Sequence, residues 1–412
     1  MGLLTAVDLF AGAGGLSEGF VQAGFTVVFA HDIDAEFGRT FCHNHPGVPF
    51  LSGEEGKIEN IGVSTVLSLS GLRRGQLDVL IGGPPCQGFS INAPVRDLSD
   101  PRNHLFRHYL RIVDGLRPKC IVMENVPGLL SLGRGKVLKD IYYCLGQMGY
   151  RLSHKVLLAA HYGVPQERWR VFVIGARPPG APLEFPAPTH YATGRLNFTG
   201  ARELTYRLNG RDGLPSFVSV KDAIDDLPPL KSAGGHEQMP YSRGPSSEYQ
   251  RQMRIGSEKV LNHLAPRLSP INLKRLEYIR PGGSWRDIPR GLLPMGMKRA
   301  RLSDHTKRYG RMQPGKLSCT IMTKADPHWG AYFHYAQDRA ITVREAARLQ
   351  SFPDRYRFFG PRVSQYVQVG NAVPPLMAKA VALRVADALM SRFYSRPAAR
   401  LKSSRPARCR TE

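Results

Sequence analysis

Through the first 177 residues, short runs of consecutive apolar residues alternate with stretches whose apolar residues recur every three or four positions. The runs predict strands at Ala6–Phe10, Val27–His31, Val79–Ile81, Cys120–Glu124, Lys155–Ala160 and Val171–Ala176. The helical spacing predicts helices that include Leu16–Ala23, Leu105–Gly115 and Val137–Met148. Such alternation implies an α/β fold, a doubly wound and mostly parallel sheet with helices on both faces. From Arg177 to about Leu302 the chain turns rich in Pro, Gly and Arg, and turns such as Arg280-Pro-Gly-Gly and Leu227-Pro-Pro-Leu punctuate it. An irregular second domain is expected there. Helical periodicity returns at Val343 to Phe352, and Pro374 to Leu389 opens with two prolines and is apolar along one face. The segment from Arg392, rich in Arg, Pro and Ser, is expected to be a disordered basic tail.

The candidate chemistry sits where the strands end. The strand ending at Ile81 runs into Gly82-Gly-Pro-Pro-Cys86, a stiff loop at the carboxyl edge of a sheet, where such folds place reacting groups. Cys86 alone would read as a small buried apolar side chain; the rigid loop argues for a reacting thiol. At the first strand-to-helix turn, Gly12, Gly14 and Gly15 let a ligand lie against backbone at a helix N-terminus, although the spacing is not the dinucleotide pattern. The second strand ends in His31-Asp-Ile-Asp34. Asp32 there can accept ribose hydroxyls and Ile33 can cover an adenine face, or Asp32 can simply cap a helix. Together they point to an adenosine-containing cofactor. Glu124, at the tip of a strand expected beside that of Cys86, can be a desolvated acid of raised pKa or half of a structural ion pair. Arg168 and Arg170 flank Trp169 and would face one side, where two guanidinium groups can hold a thiolate, a phosphate or a base carbonyl.

Charge changes the picture. Among 412 residues there are 57 Lys+Arg against 33 Asp+Glu, a formal charge of +24, which suggests a polyanionic partner such as nucleic acid. The six cysteines are scattered with no C-x-x-C pair, which fits neither a disulfide framework nor a zinc site, so no metal is expected. An apolar strand begins at Leu3, which leaves no room for a signal peptide, and no apolar stretch is long enough to span a bilayer. The chain reads as soluble and cytoplasmic, with no membrane partner.

The order of these motifs resembles the DNA (cytosine-5)-methyltransferases of the bacterial type. It is carried by Asp8–Phe20, Gly82–Ser90, Glu124–Val126, Gln166–Arg170, Arg339–Asp354 with Thr342-Val-Arg-Glu-Ala-Ala-Arg-Leu-Gln, and Gln368-Val-Gly-Asn-Ala-Val-Pro-Pro375. The resemblance implies a Rossmann-like mixed sheet of the class that binds S-adenosyl-L-methionine, formed by 1–180 and 364–391. Residues 181–363 would be a smaller target-recognition domain and 392–412 the tail. It implies a Cys86 thiolate adding to carbon 6 of a cytosine flipped out of double-stranded DNA. Glu124 would act at ring nitrogen 3, Arg170 would hold the exocyclic oxygen, and Arg168 would order the Cys86 loop. For the cofactor it assigns Phe10, Gly12, Gly14 and Leu16 to the methionine side, Asp32 and Ile33 to the adenosine, and Pro85, Asn371 and Val373 to the rest. The last helix would pack back beside the first strand. It also implies a monomer near the bacterial nucleoid, working either as an orphan or with a cognate restriction endonuclease that acts separately.

One position departs from the family. Where an Asp usually meets the adenine amino group, the chain reads Gly56-Lys57-Ile58, so weaker cofactor binding is expected unless Glu55 or Glu59 supplies the acceptor. The rival readings are a tRNA methyltransferase of the same fold and a catalytically silent DNA-binding relative. Against the first, Ser318-Cys-Thr320 is not the Cys-Phe-Thr of the tRNA branch; against the second, Cys86, Glu124 and Arg170 are all present.

Overall fold

The computed structural model describes residues 3–84, 105–180, 182–193, 213–324 and 326–394. Pro85, Cys86 and the tail from 395 lie outside them. In chain order the first part is β1 (Leu4–Leu9), α1 (Gly15–Gln22), β2 (Phe25–His31), α2 (Ala35–Asn44), β3 (Phe50–Leu51), α3 (Val63–Ser70) and β4 (Val79–Gly82). After it come α4 (Leu105–Leu116), β5 (Cys120–Asn125), α5 (Lys136–Gln147), β6 (Arg151–Leu158) and β7 (Trp169–Ala176). The strands form one seven-stranded sheet in the order β3-β2-β1-β4-β5-β7-β6. All run parallel except β7, which is antiparallel to both neighbours, so the sheet is mixed.

Alternation along each strand sorts its side chains between two cores. Ala6, Val27, Ile81, Val122 and Phe172 point to one face, with Phe20 of α1. Val7, Phe29, Leu80, Ile121 and Val173 point to the other, beneath Tyr109 and Ile112 of α4 and Ile141 of α5. Both faces are covered, so the central strands are buried at almost every position.

The remainder is α6 (Val220–Ile224), β8 (Gly235–Met239), α7 (Glu248–Arg254), β9 (Val260–Leu264), α8 (Pro270–Leu276), α9 (Val343–Leu349), α10 (Arg362–Asn371) and α11 (Pro375–Leu389). Strands β8 and β9 pair antiparallel in a sheet of their own. Helix α11 returns to the first core, where Val381 and Val385 join Ala6 and Phe20. Its immediate neighbour is α1 rather than the first strand. A Cβ on Gly19 would stand 2.3 Å from Ala378 Cβ, so only glycine allows that approach. No described helix is long and apolar enough to cross a membrane.

Helix α9 buries charge beside its apolar residues Val343, Ala346, Ala347 and Leu349. Arg344 and Arg348 are fully buried on it, with Arg339 just before it. Thr342 and Glu345 cap its start reciprocally, and Glu345 also takes two bonds from Arg339, at 2.6 and 2.8 Å. Arg348 grips Asp354 with Nε and Nη2 at 2.5 and 2.6 Å, and Nη1 reaches Asp226 at 3.0 Å. Arg344 donates to the carbonyls of Leu261, Pro353 and Tyr356. Guanidinium groups buried this deeply persist because nearly every N–H finds an acceptor. Arg348→Met should therefore cost about 3 kcal/mol or more, by leaving two buried carboxylates short of a partner. Denaturant unfolding beside the wild type measures this, and a loss below about 1 kcal/mol would show that the network is not a main support.

Candidate active site

At the end of β1 the backbone is left-handed at Phe10 (φ 61°) and again at Gly12 (φ 57°). His31 and Asp32, at the tip of β2, hold this turn. Phe10 N–H donates to His31 Nε2 at 3.2 Å, so Nδ1 carries the ring proton and donates to Gly56 O at 3.1 Å. Burial pushes the His31 pKa down to about 4, which keeps the ring neutral. Gly12 N–H donates to Asp32 Oδ2 at 2.9 Å, and Asp34 N–H to Asp32 Oδ1 at 3.0 Å. Asp34, not Asp32, caps α2, so the capping alternative for Asp32 falls.

The two expected cradle glycines differ. A Cβ on Gly12 would meet nothing within 4 Å, which leaves open space beside the backbone for a ligand. A Cβ on Gly14 would lie 2.6 Å from Tyr356 Oη and 2.9 Å from Phe41, so Gly14 serves close packing. Leu16 is in the core, and only its backbone at the start of α1 is left to face a ligand. Ile33 is 58% exposed at the tip of β2, and Asn371 is exposed at the end of α10. Val373 is buried, and its carbonyl would lie 2.4 Å from a Cβ on Gly15.

Beneath the turn Asp8 is wholly buried. Ser17 Oγ donates to its Oδ2 at 2.6 Å, while Oδ1 has no partner among the described residues. Burial raises its pKa to about 7 and that of Asp32 to about 6. The open face of Gly12, the uncovered Ile33 and this unspent oxygen fit the adenosine-containing cofactor expected from the motifs. Lys57, the odd residue at the adenine edge, pairs with Glu54 at 2.6 Å, and Glu55 and Glu59 are exposed.

The second half of the site lies where β4 and β5 end side by side, Gly82 opposite Met123. Glu124 is buried, and Arg170 Nε lies 2.9 Å from its Oε1. Burial raises the Glu124 pKa and Arg170 opposes the rise; burial lowers that of Arg170 and Glu124 opposes it. Gly83 makes room, since a Cβ there would stand 3.1 Å from Glu124 Oε2. Asn125 Nδ2 donates to Pro84 O at 3.0 Å and ties the start of the Cys86 loop to this corner.

Arg168 is used differently from Arg170. Its guanidinium is buried and donates to Ile321 O at 3.0 Å, Gly370 O at 2.8 Å and Ala372 O at 3.0 Å. Its described contacts are therefore backbone carbonyls of distant segments. Gln166 beside it donates to Leu349 O at 3.0 Å and accepts from Ile321 N–H at 2.9 Å. The shared roles of Gln166, Gln350 and His31 were hidden in the sequence, although Gln166 and Gln350 fall within the motifs. In the irregular second region Trp285 is core: it is 2% exposed and its Nε1 donates to His305 O. Arg280, Arg299 and Arg301 are exposed.

The family model described as C-5 cytosine-specific DNA methylase matches residues 4–387. The chain is 35% identical to the Type II methyltransferase M.AgeI of Thalassovita gelatinovora, over 92% of this chain and 98% of that protein. It is also 35% identical to M.DdeI of Desulfomicrobium norvegicum, over 93% of this chain and 88% of that one. A solved prophage-encoded DNA modification methyltransferase of E. coli shares the fold, with a TM-score of 0.69 at 24% identity, covering 94% of this chain and 99% of its own.

Asp8 gives a pH test with a defined sign. Its folded pKa of about 7 lies above the ordinary value of 3.8, so ionising it in place costs stability progressively as pH rises between them. Relative to the wild type, ligand-free Asp8→Asn should gain stability as pH is raised from 4 to 7 and level off above. A difference independent of pH in denaturant unfolding would show that Asp8 titrates normally.

Proposed function

Because the chain belongs to the C-5 cytosine-specific DNA methylase family, and is a DNA (cytosine-5)-methyltransferase that uses S-adenosylmethionine, we propose that it methylates one short sequence of double-stranded DNA through a covalent bond to Cys86. The observation that carries this reading is the buried Glu124–Arg170 pair, 2.9 Å apart, beside the Gly83-Pro84 lead into the cysteine loop.

Carbon 5 of cytosine is a weak nucleophile. Addition of the Cys86 thiolate to carbon 6 moves the double-bond electrons toward carbon 5 and the ring nitrogen. Glu124, held protonated to higher pH than an exposed carboxyl, donates to nitrogen 3 as the electrons arrive. Arg170 braces Glu124 and points donors at the exocyclic oxygen of the base. S-adenosylmethionine, when bound, supplies a methyl group on a sulfonium to carbon 5. Loss of the carbon 5 proton then restores the double bond as the sulfur–carbon 6 bond breaks and Cys86 leaves. A stacked base cannot reach this corner, so the cytosine is flipped out.

For the cofactor we assign Gly12, Phe10 and the backbone at Gly14 and Leu16 to the methionine end, Asp32 and Ile33 to the adenosine, and Pro85, Asn371 and Val373 to closing the pocket. Asp32 already spends one oxygen on Gly12 N–H and the other on Asp34 N–H, so it would hold the ribose through its remaining lone pairs. Arg168 serves as a positioning residue. Residues 1–180 and 364–391 form the catalytic unit and 181–363 the recognition unit; the packing of α11 on α1 and the separate β8–β9 sheet support that division. The enzyme acts as a monomer in the bacterial cytoplasm, as an orphan or alongside a separately acting restriction endonuclease.

Bisulfite sequencing of DNA from a methylation-free host tests the reading. The wild type should mark one short motif, and Cys86→Ala none. Glu124→Ala should lower the rate by roughly 10²–10⁴ with cofactor binding intact. DNA carrying 5-fluorocytosine should trap the wild type covalently but not Cys86→Ala. Methylation by Cys86→Ala at the wild-type rate would sink the mechanism.

A further inference from the structure

Beyond the catalytic corner a small separate core forms around Trp285, Ile288, Met297, Tyr309 and Phe333. Its outer surface is strongly basic. Between Arg286 and Arg308 there are seven Lys and Arg against two acids. Both acids serve local backbone, Asp287 at Ser284 N–H and Asp304 at Arg301 N–H. Lys298, Arg299 and Arg301 are therefore exposed with no carboxylate partner among the described residues.

On the turn bonded to this segment Trp329 is 46% exposed, while Trp285 is 2% exposed. Its exposure is fixed by rigid backbone. The turn that carries it is closed by Trp329 N–H to Asp326 O at 2.9 Å and His328 N–H to Asp326 Oδ1 at 2.7 Å. It is stitched to the basic segment by Tyr309 N–H to Pro327 O at 2.6 Å and by the contact of Tyr309 Oη with His328 Nδ1 at 2.9 Å. Arg308 lies over the indole, 4.9 Å from its centre. One face of the ring is thus braced by a cation.

The same segment touches the catalytic edge. Lys307 Nζ lies 3.2 Å from Glu167, the residue between Gln166 and Arg168, and Thr320 Oγ1 donates to Glu167 O at 2.7 Å. Arg170, three residues on from Glu167, is the partner of Glu124. An exposed indole braced by Arg308, on a turn bonded to a segment that carries unpaired cations and is tied to the catalytic edge, is suited to a nucleic-acid base flanked by phosphates.

We propose that Trp329, braced by Arg308, stacks on a base of the substrate duplex next to the target cytosine, with the exposed arginines of the same segment holding the neighbouring phosphates. This rests on duplex DNA being the substrate. It makes Trp329 a DNA-contacting residue outside the catalytic motifs.

Tryptophan fluorescence tests it directly, because the chain has three tryptophans. A duplex carrying the mapped methylation motif should quench the wild type, and most of that quench should vanish in Trp329→Phe while KM for DNA stays within a fewfold. Trp329→Ala should raise KM for DNA roughly tenfold or more. Cofactor affinity and thermal unfolding should stay at wild-type values in both variants, which separates loss of contact from misfolding. An unchanged KM together with a persistent quench in Trp329→Ala overturns the proposal. Quenching of Trp329 by mixed-sequence duplex DNA, with no methylation by the wild type, would overturn the enzymatic reading and leave the contact with DNA standing. Methylation without any quench from Trp329 would overturn the contact alone.

Discussion

Everything that makes this fold a site depends on a small buried knot of hydrogen bonds around the Arg168 guanidinium. Gln166, Arg168 and Gln350 together bind the backbone of Ile321, Leu349, Val369, Gly370 and Ala372. Those segments lie far apart in sequence, and the knot adds buried directional bonds to the backbone pairing of Gln166 with Ser318. Apolar contact is non-directional and tolerates sliding; an arginine with three carbonyls does not. The knot sets where α10 stops, hence where Asn371 and Val373 stand relative to the glycine turn of β1. It also holds the start of β7, and so the position from which Arg170 meets Glu124. One buried charge thus registers the glycine-turn side and the Glu124 side of the candidate site against each other.

The two sides use burial for opposite ends. At the cradle, burial keeps His31 neutral so that its ring can accept from one amide while donating to a carbonyl. At the corner, burial favours the neutral form of Glu124 while Arg170 opposes it, leaving a carboxyl poised between donor and ion-pair partner. In the proposed mechanism this carboxyl is already oriented and loses little in reorganising when a base arrives. Around α9 the same low-polarity interior is filled with arginines whose partners leave them no such freedom, and there the result is rigidity.

Much of this was legible because strands announce themselves by apolar runs. Six of the seven strands of the main sheet lie within a few residues of their expected places, and the order of motifs named the family. What was missed had no such signal. Helix α2 is poor in apolar residues, and its real marker is the Asp34 cap. Strand β3 is two residues long, and β8 is largely exposed and polar. Within the site, Glu124 and Arg170 were readable because both stand at strand ends facing one corner. The work of Arg168 was not, since its acceptors are carbonyls 153 to 204 residues away, and a carbonyl carries no sequence signature. Nor does composition separate Gly12, open to a ligand, from Gly14, closed against Tyr356.

The placement of Arg168 has a consequence for how the protein is made. Two of its acceptors, Gly370 O and Ala372 O, are translated 202 and 204 residues after it. At about 5–20 residues per second, the guanidinium emerges some 10–40 s before the backbone that will satisfy it. During that interval the strands of the main sheet exist without the segment that sets Asn371 and Val373 beside the glycine turn. The fold therefore closes around Arg168 late, with a buried charge waiting on backbone made last.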